Sequence, residues 1–255
     1  MYPEERQQAI AAQVISHGRA SVTELAQTFE VTTETVRRDL AVLDRAGVLR
    51  RVHGGAVPTR VLRLVEPSVD EREATRAAHK DAVARAATEF LPESGCTVLI
   101  DAGTTTARLA ALLPPDRELL VVTNSVPIAA RLAGFGSIRL QLLGGRVRGL
   151  TRACVGTPAL EALAALRVDV AFLGTNGITP RHGLSTPDPD EAAVKRAMVA
   201  CANFVVVVAD SSKIGREEFA SFAPIDALDV LVTDSEIPAS EHAELTRAGL
   251  EVVLA

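Results

Sequence analysis

The 255-residue sequence has no Trp, one Tyr and only 3% aromatic residues. Ala, Leu and Val must therefore supply the buried surface, and a sheet that stacks single-stranded bases on aromatic rings is excluded. Cysteine is scarce too. Cys96, Cys154 and Cys201 are far apart and show no Cys-x-x-Cys or Cys/His spacing, which argues against a disulfide framework and a metal site and for a reduced, cytoplasmic protein. No run approaches 18 uncharged apolar residues, and the opening Met1-Tyr-Pro-Glu-Glu-Arg-Gln-Gln8 is charged, so neither a membrane span nor a signal peptide is expected. Lysine is sparse against arginine: Lys80, Lys195 and Lys213 stand beside 24 Arg.

Charge is unevenly laid out. Of a net −5, the part through Arg60 is nearly neutral, eight Arg against seven acidic residues, and the negative excess lies in the remainder. Length allows one large or two ordinary domains, and the division falls early. Residues 1–57 read as one domain, 58–68 as a linker broken by Pro58 and Pro67, and 69–255 as a second domain.

In the first domain, Glu4 to His17 sets Ile10, Val14 and Ile15 on one helical side, with Gly18 just past the end. Ser21-Val-Thr-Glu24 is a capping box ahead of Val22, Leu25, Ala26 and Phe29 at amphipathic spacing. A tight Val31-Thr32 connection leads to a helix from Thr33 to Ala46, whose Val36, Leu40 and Leu43 form a stripe that Gly47 ends. Three short helices with a tight turn before the last predict a helix-turn-helix, whose final helix enters the major groove. Val48 to Val52, His53-Gly-Gly55 and Ala56-Val57 add a hairpin wing. Thr32 just before the last helix and Thr33, Glu34, Thr35, Arg37 and Arg38 on it, with Arg51, His53 and Gly54 on the wing, are the candidate contacts to double-stranded DNA. The Arg37-Arg38 pair beside Asp39 and Asp44 also reads as an ordinary solvated, salt-bridged face.

Here the residues resemble a known family. Leu25-Ala26, Val31-Thr-Thr-Glu-Thr-Val-Arg-Arg-Asp-Leu40, Leu43, Gly47 and Arg51-Val-His-Gly-Gly-Ala56 look like the N-terminal domain of DeoR-type bacterial transcriptional regulators.

In the second domain Asp70 to Leu91 reads as one Ala-rich helix. Short apolar runs then alternate with helical stretches at 97–100, 119–122, 138–143, 168–173, 205–208, 230–232 and 252–254, which predicts an α/β fold with a largely parallel sheet covered on both faces. The runs lead into Asp101-Ala-Gly-Thr-Thr-Thr106, Thr123-Asn-Ser125, Gly144-Gly-Arg146, Gly174-Thr-Asn-Gly177, Asp210-Ser-Ser-Lys213 and Thr233-Asp-Ser235. Carboxyl ends of parallel strands line the ligand crevice of such a sheet, so a polar ligand is expected there. Gly103 to Thr106 opens a helix whose free amides suit a phosphate. Lys195 and Lys213 border the same crevice as compact charges. Against this, Glu191 and Lys195 at i,i+4 can pair on a helix surface, and Asp101 and Asp210 can serve as turn or helix caps.

This domain resembles the effector-sensing domain of the DeoR family, through Asp101-Ala-Gly-Thr-Thr105, Val122-Thr-Asn-Ser125, Leu143-Gly-Gly145, Phe172-Leu-Gly-Thr-Asn-Gly177, Gly183-Leu-Ser-Thr186, Glu191 with Lys195, and Ala209-Asp-Ser-Ser-Lys213. The resemblance implies a domain similar to ribose-5-phosphate isomerase that binds phosphorylated sugars. It makes Asp101, Gly103, Thr104, Thr105, Thr106, Thr123, Asn124, Gly144, Gly145, Asn176, Gly177, Glu191, Lys195, Asp210 and Lys213 the effector-site candidates. Ala102 departs from the Ser of many members, and the Pro-rich Thr186-Pro-Asp-Pro-Asp190 leaves the place of Asp188 open. The implied protein is a homodimeric or homotetrameric repressor of a sugar-uptake or catabolism operon, without a cofactor, relieved by a phosphosugar. Fructose 1-phosphate or fructose 6-phosphate is the first candidate, because Met1-Tyr-Pro-Glu-Glu-Arg6 resembles members tied to fructose and phosphotransferase genes. The rival class is a phosphosugar isomerase-like enzyme using Asp101, Glu191, Lys195 and Asp210 for proton transfer.

Overall fold

The computed structural model describes residues 3–17, 20–45, 48–52, 54–58 and 66–255, and the chain divides into two units, Met1–Leu64 and Val65–Ala255. Gly18, Ala46, Gly47, His53 and most of the expected linker lie outside the described residues.

The first unit runs α1 (Pro3–His17), β1 (Ala20–Ser21), α2 (Val22–Thr28), α3 (Thr33–Arg45), β2 (Leu49–Val52) and β3 (Gly55–Pro58). Its core is the apolar stripe of each helix: Ile10 and Val14, Val22 and Leu25, then Val36, Leu40 and Leu43, closed by Leu49 and Ala56. The capping box forms, the Ser21 hydroxyl accepting from the Glu24 amide at 3.1 Å and the Glu24 carboxylate from the Ser21 amide at 2.8 Å. The wing is an antiparallel hairpin in which Val52 faces Gly55. The short strand β1 beside β3 was not legible beforehand. It explains Gly55, where any Cβ would stand 2.3 Å from the Ala20 carbonyl oxygen.

The second unit opens with α4 (Val69–Ala74) and α5 (Ala77–Ala87) where one helix was expected. Arg76 adopts φ 52°, a left-handed conformation that ends one helix and starts the next. The buried Lys80 ammonium stabilises this break by donating to the carbonyls of Arg72 and of Thr75, the latter at 2.7 Å. Lysine thus does the capping for which a glycine is usual.

Then follow β4 (Thr97–Ile100), α6 (Thr104–Ala111), β5 (Leu119–Thr123), α7 (Val126–Leu132), β6 (Ile138–Leu142), β7 (Arg146–Arg148), β8 (Ala153–Val155), α8 (Thr157–Ala164) and β9 (Val168–Leu173). The unit ends with β10 (Gly177–Thr179), β11 (Gly183–Thr186), α9 (Pro189–Cys201), β12 (Ala202–Val208), β13 (Ala220–Ala223), β14 (Val230–Thr233), α10 (Ala239–Arg247) and β15 (Glu251–Leu254). All seven apolar runs read from the sequence are strands of one sheet, ordered β15-β14-β12-β9-β4-β5-β6, and every neighbouring pair is parallel. Alternate residues serve opposite layers. Val98, Ile100, Val121, Phe172, Val206 and Val208 pack with Val83 of α5, Leu109 of α6 and Ile128 of α7, while Leu99, Val122, Leu173, Val205 and Val207 pack with Leu163 of α8, Met198 of α9 and Leu245 of α10. The β7–β8 hairpin and the small β10-β11-β13 sheet have no counterpart among those seven runs.

Strand order reverses at β4: the chain proceeds outward through β5 and β6, then returns to β9 on the other side of β4. The switch point between β4 and β9 is where an open α/β sheet forms its crevice.

Candidate functional site

In the first unit α3 buries Val36, Leu40 and Leu43 and leaves Thr33, Glu34, Arg37 and Arg38 exposed on the far side. Thr32 starts the helix, its hydroxyl accepting from the Thr35 amide at 3.2 Å and lying 2.9 Å from the Thr35 hydroxyl. Glu34 pairs with Arg37 at 3.5 Å and with Arg38 at 3.9 Å. Such exposed pairs contribute only about 0–1 kcal/mol, so an incoming phosphate can replace the carboxylate. Asp39 is not part of that face: it is buried, accepting from Arg6 at 2.7 Å and Gln7 at 2.9 Å. Asp44 accepts from the Arg51 amide at 3.1 Å, fastening α3 to the wing and leaving the Arg51 side chain exposed. Gly54, at φ 81°, is exposed at the wing tip and gives its carbonyl to the Val22 amide. His53 lies outside the described residues.

In the second unit the parallel strands deliver Asp101, Thr123, Gly144, Gly174, Asp210 and Thr233 to one edge of the sheet. At the switch point Lys195 of α9 meets Asp101 in an ion pair, and its ammonium also reaches the Gly174 carbonyl at 3.0 Å. The Gly174 amide donates to Asp101 at 3.1 Å. The surface pairing of Glu191 with Lys195 is therefore absent: both are buried and bind different partners. Burial drives the Asp101 carboxyl upward, against the pull of Lys195.

Asp210, next along the edge, caps the following turn as the plainer reading had it, accepting from the Ser212 amide at 3.1 Å. It also meets Arg76 at 3.2 Å. Lys80 and Lys213 lie near it, and Arg72 lies near Lys213. Lys80 feels the charges of both Asp210 and Lys213 and, chiefly through burial, is pulled down to about 8. Lys213 is lowered by burial, with Arg216 and Arg72 adding to the effect. Arg72 buries Nε and one terminal nitrogen that have no hydrogen-bond partner. Buried donors of a guanidinium are normally satisfied. Sequence reasoning missed Arg72 and placed Lys80 away from the crevice, since neither follows a strand; only the break between α4 and α5 brings them in.

The other candidates divide. Thr104, Thr105 and Thr106 form the first turn of α6, where amides have no carbonyl four residues back, and Gly103 precedes them. Thr123 and Asn124 reach the edge, but their hydrogen bonds go to the backbone, Thr123 to the Ile100 carbonyl at 2.6 Å and Asn124 to the Ala102 amide at 2.9 Å. Gly145 and Gly177 are close approaches, a Cβ standing 2.5 Å from the Val155 oxygen and 2.6 Å from the Arg216 oxygen respectively. Gly144 is exposed, and the Asn176 amide donates to the Ser185 carbonyl. Asp188 caps α9 through the Glu191 amide at 3.0 Å. Glu191 accepts from Thr151 and from Arg148, the latter at 2.9 Å.

His79, Asp234 and Glu236 also converge as ligand-bearing groups. Arg76 already donates to Asp234 at 3.1 Å and Glu236 at 2.8 Å, so a guanidinium holds the place of a cation there. Among the described residues no helix is long and apolar enough to cross a membrane.

Residues 6–60 match the DeoR-like helix-turn-helix domain and residues 75–235 the DeoR C-terminal sensor domain. The HTH-type transcriptional regulator GlpR of Haloferax volcanii is 39% identical over 99% of this chain and 98% of its own. FruR of Bacillus subtilis, an uncharacterized HTH-type transcriptional regulator, is 37% identical over 92% of this chain and 93% of its own. The glycerol-3-phosphate regulon repressor of Escherichia coli K12 is 32% identical over 98% of each. Ribose 5-phosphate isomerase A of Methanocaldococcus jannaschii overlaps 55% of each chain at 18% identity and a TM-score of 0.41, too slight a likeness to bear on function. With both units matched and relatives aligned from end to end, the chain belongs to the DeoR family of helix-turn-helix transcriptional regulators.

Proposed function

We propose that the protein is a repressor whose grip on a DNA operator is released by a phosphorylated sugar held at the carboxyl edge of the sensor sheet. Cation placement carries this reading. Lys195 is balanced by Asp101 at the switch point, whereas Lys80 and Lys213 lie near Asp210, which Arg76 already meets, and Arg72 lies near Lys213. A dianionic phosphate gives Arg72, two of whose buried nitrogens have no hydrogen-bond partner, an acceptor, and the opening amides of α6 add donors. The hydroxyls of the sugar then fall to Asp101, Glu191 and Lys195. The relatives support repression: one is named a glycerol-3-phosphate regulon repressor and another a putative aga operon repressor.

Release requires that ligand bind the DNA-free arrangement more tightly, and a coupling of about 1–3 kcal/mol weakens operator binding 5- to 150-fold. Thr32, Thr33, Glu34, Thr35, Arg37, Arg38, Arg51, His53 and Gly54 form the DNA-reading set, and a homodimer or homotetramer supplies enough contacts for a specific site. A gel-shift titration on the protein's own promoter fragment with fructose 1-phosphate, fructose 6-phosphate and other phosphosugars tests the reading. Release by one of them supports it, and operator binding unmoved by all overturns it. Isomerisation of these sugars, abolished in Glu191→Ala, would replace it with an enzyme.

A further inference from the structure

We propose that Arg148 is the coupling residue of the sensor, tying Glu66, at the head of the sensor unit, to helix α9 and through it to the switch-point crevice. The proposal rests on the reading of that crevice as an effector site.

Arg148, on β7, presents each edge of its guanidinium to a different carboxylate: Glu66 at 2.6 Å, Asp188 at 2.9 Å and Glu191 at 2.9 Å. All four side chains are largely buried, Arg148 at 14% exposure and Glu66 at 4%. Burial works against the charge of Arg148, but Glu66 and Glu191 outweigh it and raise its pKa above the ordinary value. One cation thus serves three anions, and each carboxylate competes for it. Glu66 is the most dependent, because its second oxygen is buried without a hydrogen-bond partner.

Two of the three carboxylates belong to the start of α9, Asp188 as its N-cap and Glu191 in its first turn. Asp188 caps that helix through the Glu191 amide at 3.0 Å, and Glu191 stands one turn before Lys195, which pairs with Asp101. A ligand that draws on Asp101, Lys195 or Glu191 therefore alters what Arg148 receives from α9. On the other side, Glu66 stands at the very start of the sensor unit, Val65–Ala255. The residues behind it dock on the turn between β7 and β8: the Val69 amide donates to the Leu150 carbonyl at 2.8 Å, and Asp70 pairs with Arg152 at 2.7 Å. Two arrangements follow, Glu66 held by Arg148 or Glu66 released to water with Arg148 kept by Asp188 and Glu191. Such a two-state element is what transmission between sites requires.

Amide hydrogen exchange of the full chain tests this without knowledge of the sugar. In the double variant Asp101→Ala/Lys195→Met, which removes both charges and the oxygen that accepts from the Gly174 amide, that amide should lose protection as an internal control, and the Val69 amide should exchange at least fivefold faster. In a Glu66→Gln background Val69 should already exchange fast and ignore the double variant. Should the double variant fail to fold, Glu191→Gln, close in size to the native residue, takes its place with the opposite sign: it removes a competitor for Arg148, so Glu66 is held more firmly and the Val69 amide should exchange more slowly, and an unchanged or faster rate overturns the proposal. A Val69 amide unchanged while Gly174 opens overturns the proposal. With fructose 1-phosphate or fructose 6-phosphate as probe, Glu66→Gln should retain binding while operator release falls at least fivefold; full release, or lost binding, overturns it as well. If no phosphosugar acts on the wild type, the effector reading fails, and the exchange result alone decides on Arg148.

Discussion

Lys195 of α9 forms an ion pair with Asp101 at the end of β4, and the Gly174 amide closes on the same carboxylate at 3.1 Å. This pair fills the switch point with balanced charge, and the proposed phosphate site lies farther along the edge, at Arg72, Lys80 and Lys213.

Removing one partner of that pair leaves a buried group uncompensated. Lys195→Met or Asp101→Asn alone should lower stability by about 3–5 kcal/mol, and the double variant should lose clearly less than the sum. Urea unfolding of the four species measures it; additive losses would show that the two residues do not interact.

If the proposed phosphate site includes Lys80, its affinity depends on pH. The Lys80 ammonium is held down to about 8, so below that pH it is charged in the folded protein, and above it the charge is lost. A bound phosphate dianion favours the charged form and raises the pKa again. Binding at pH 8.5 should therefore take up protons, seen in calorimetry as an enthalpy that varies with the ionisation enthalpy of the buffer, and affinity should fall from pH 7.5 to 9.5. Zero proton uptake at pH 8.5 removes Lys80 from the site.

On the exposed face of α3, Arg38 has an 80% exposed side chain with a 3.9 Å contact to Glu34. Arg38→Ala should leave thermal stability within about 0.5 kcal/mol. Loss of a base contact should weaken operator binding by about 1–3 kcal/mol and relax specificity, whereas loss of a phosphate contact should reduce the salt slope by about 1. Fluorescence anisotropy at several salt concentrations separates these, and unchanged affinity at every salt concentration removes α3 from the interface.

Gly55→Ala places a Cβ 2.3 Å from the Ala20 oxygen, backbone against backbone. Overpacking of this kind costs about 1–3 kcal/mol. Operator binding should drop while sensor ligands still shift the melting of the second unit; intact operator binding would show that β1 and β3 yield without loss.

The sheet was legible because each strand is an apolar run closed by a small polar turn, and both faces are covered, so no alternation was needed to find it. Capping at Ser21 and Glu24 was equally plain, being local. The β7–β8 hairpin was hidden because strands of three residues carry no period. The break at Arg76 was hidden for another reason: it contains neither Gly nor Pro, and the group that satisfies it, the Lys80 ammonium, comes from the next helix. Arg72 and Arg148 were lost among many arginines, since only the fold distinguishes an arginine with idle buried nitrogens from one surrounded by three carboxylates.

The most direct measurement is an anisotropy titration of the full chain onto its own promoter fragment, with and without phosphosugars, for the wild type and Lys213→Ala. The account predicts tight binding by both, weakened 5- to 150-fold by one phosphosugar in the wild type and left intact in Lys213→Ala. Equal release of both proteins, or no specific binding by either, contradicts it.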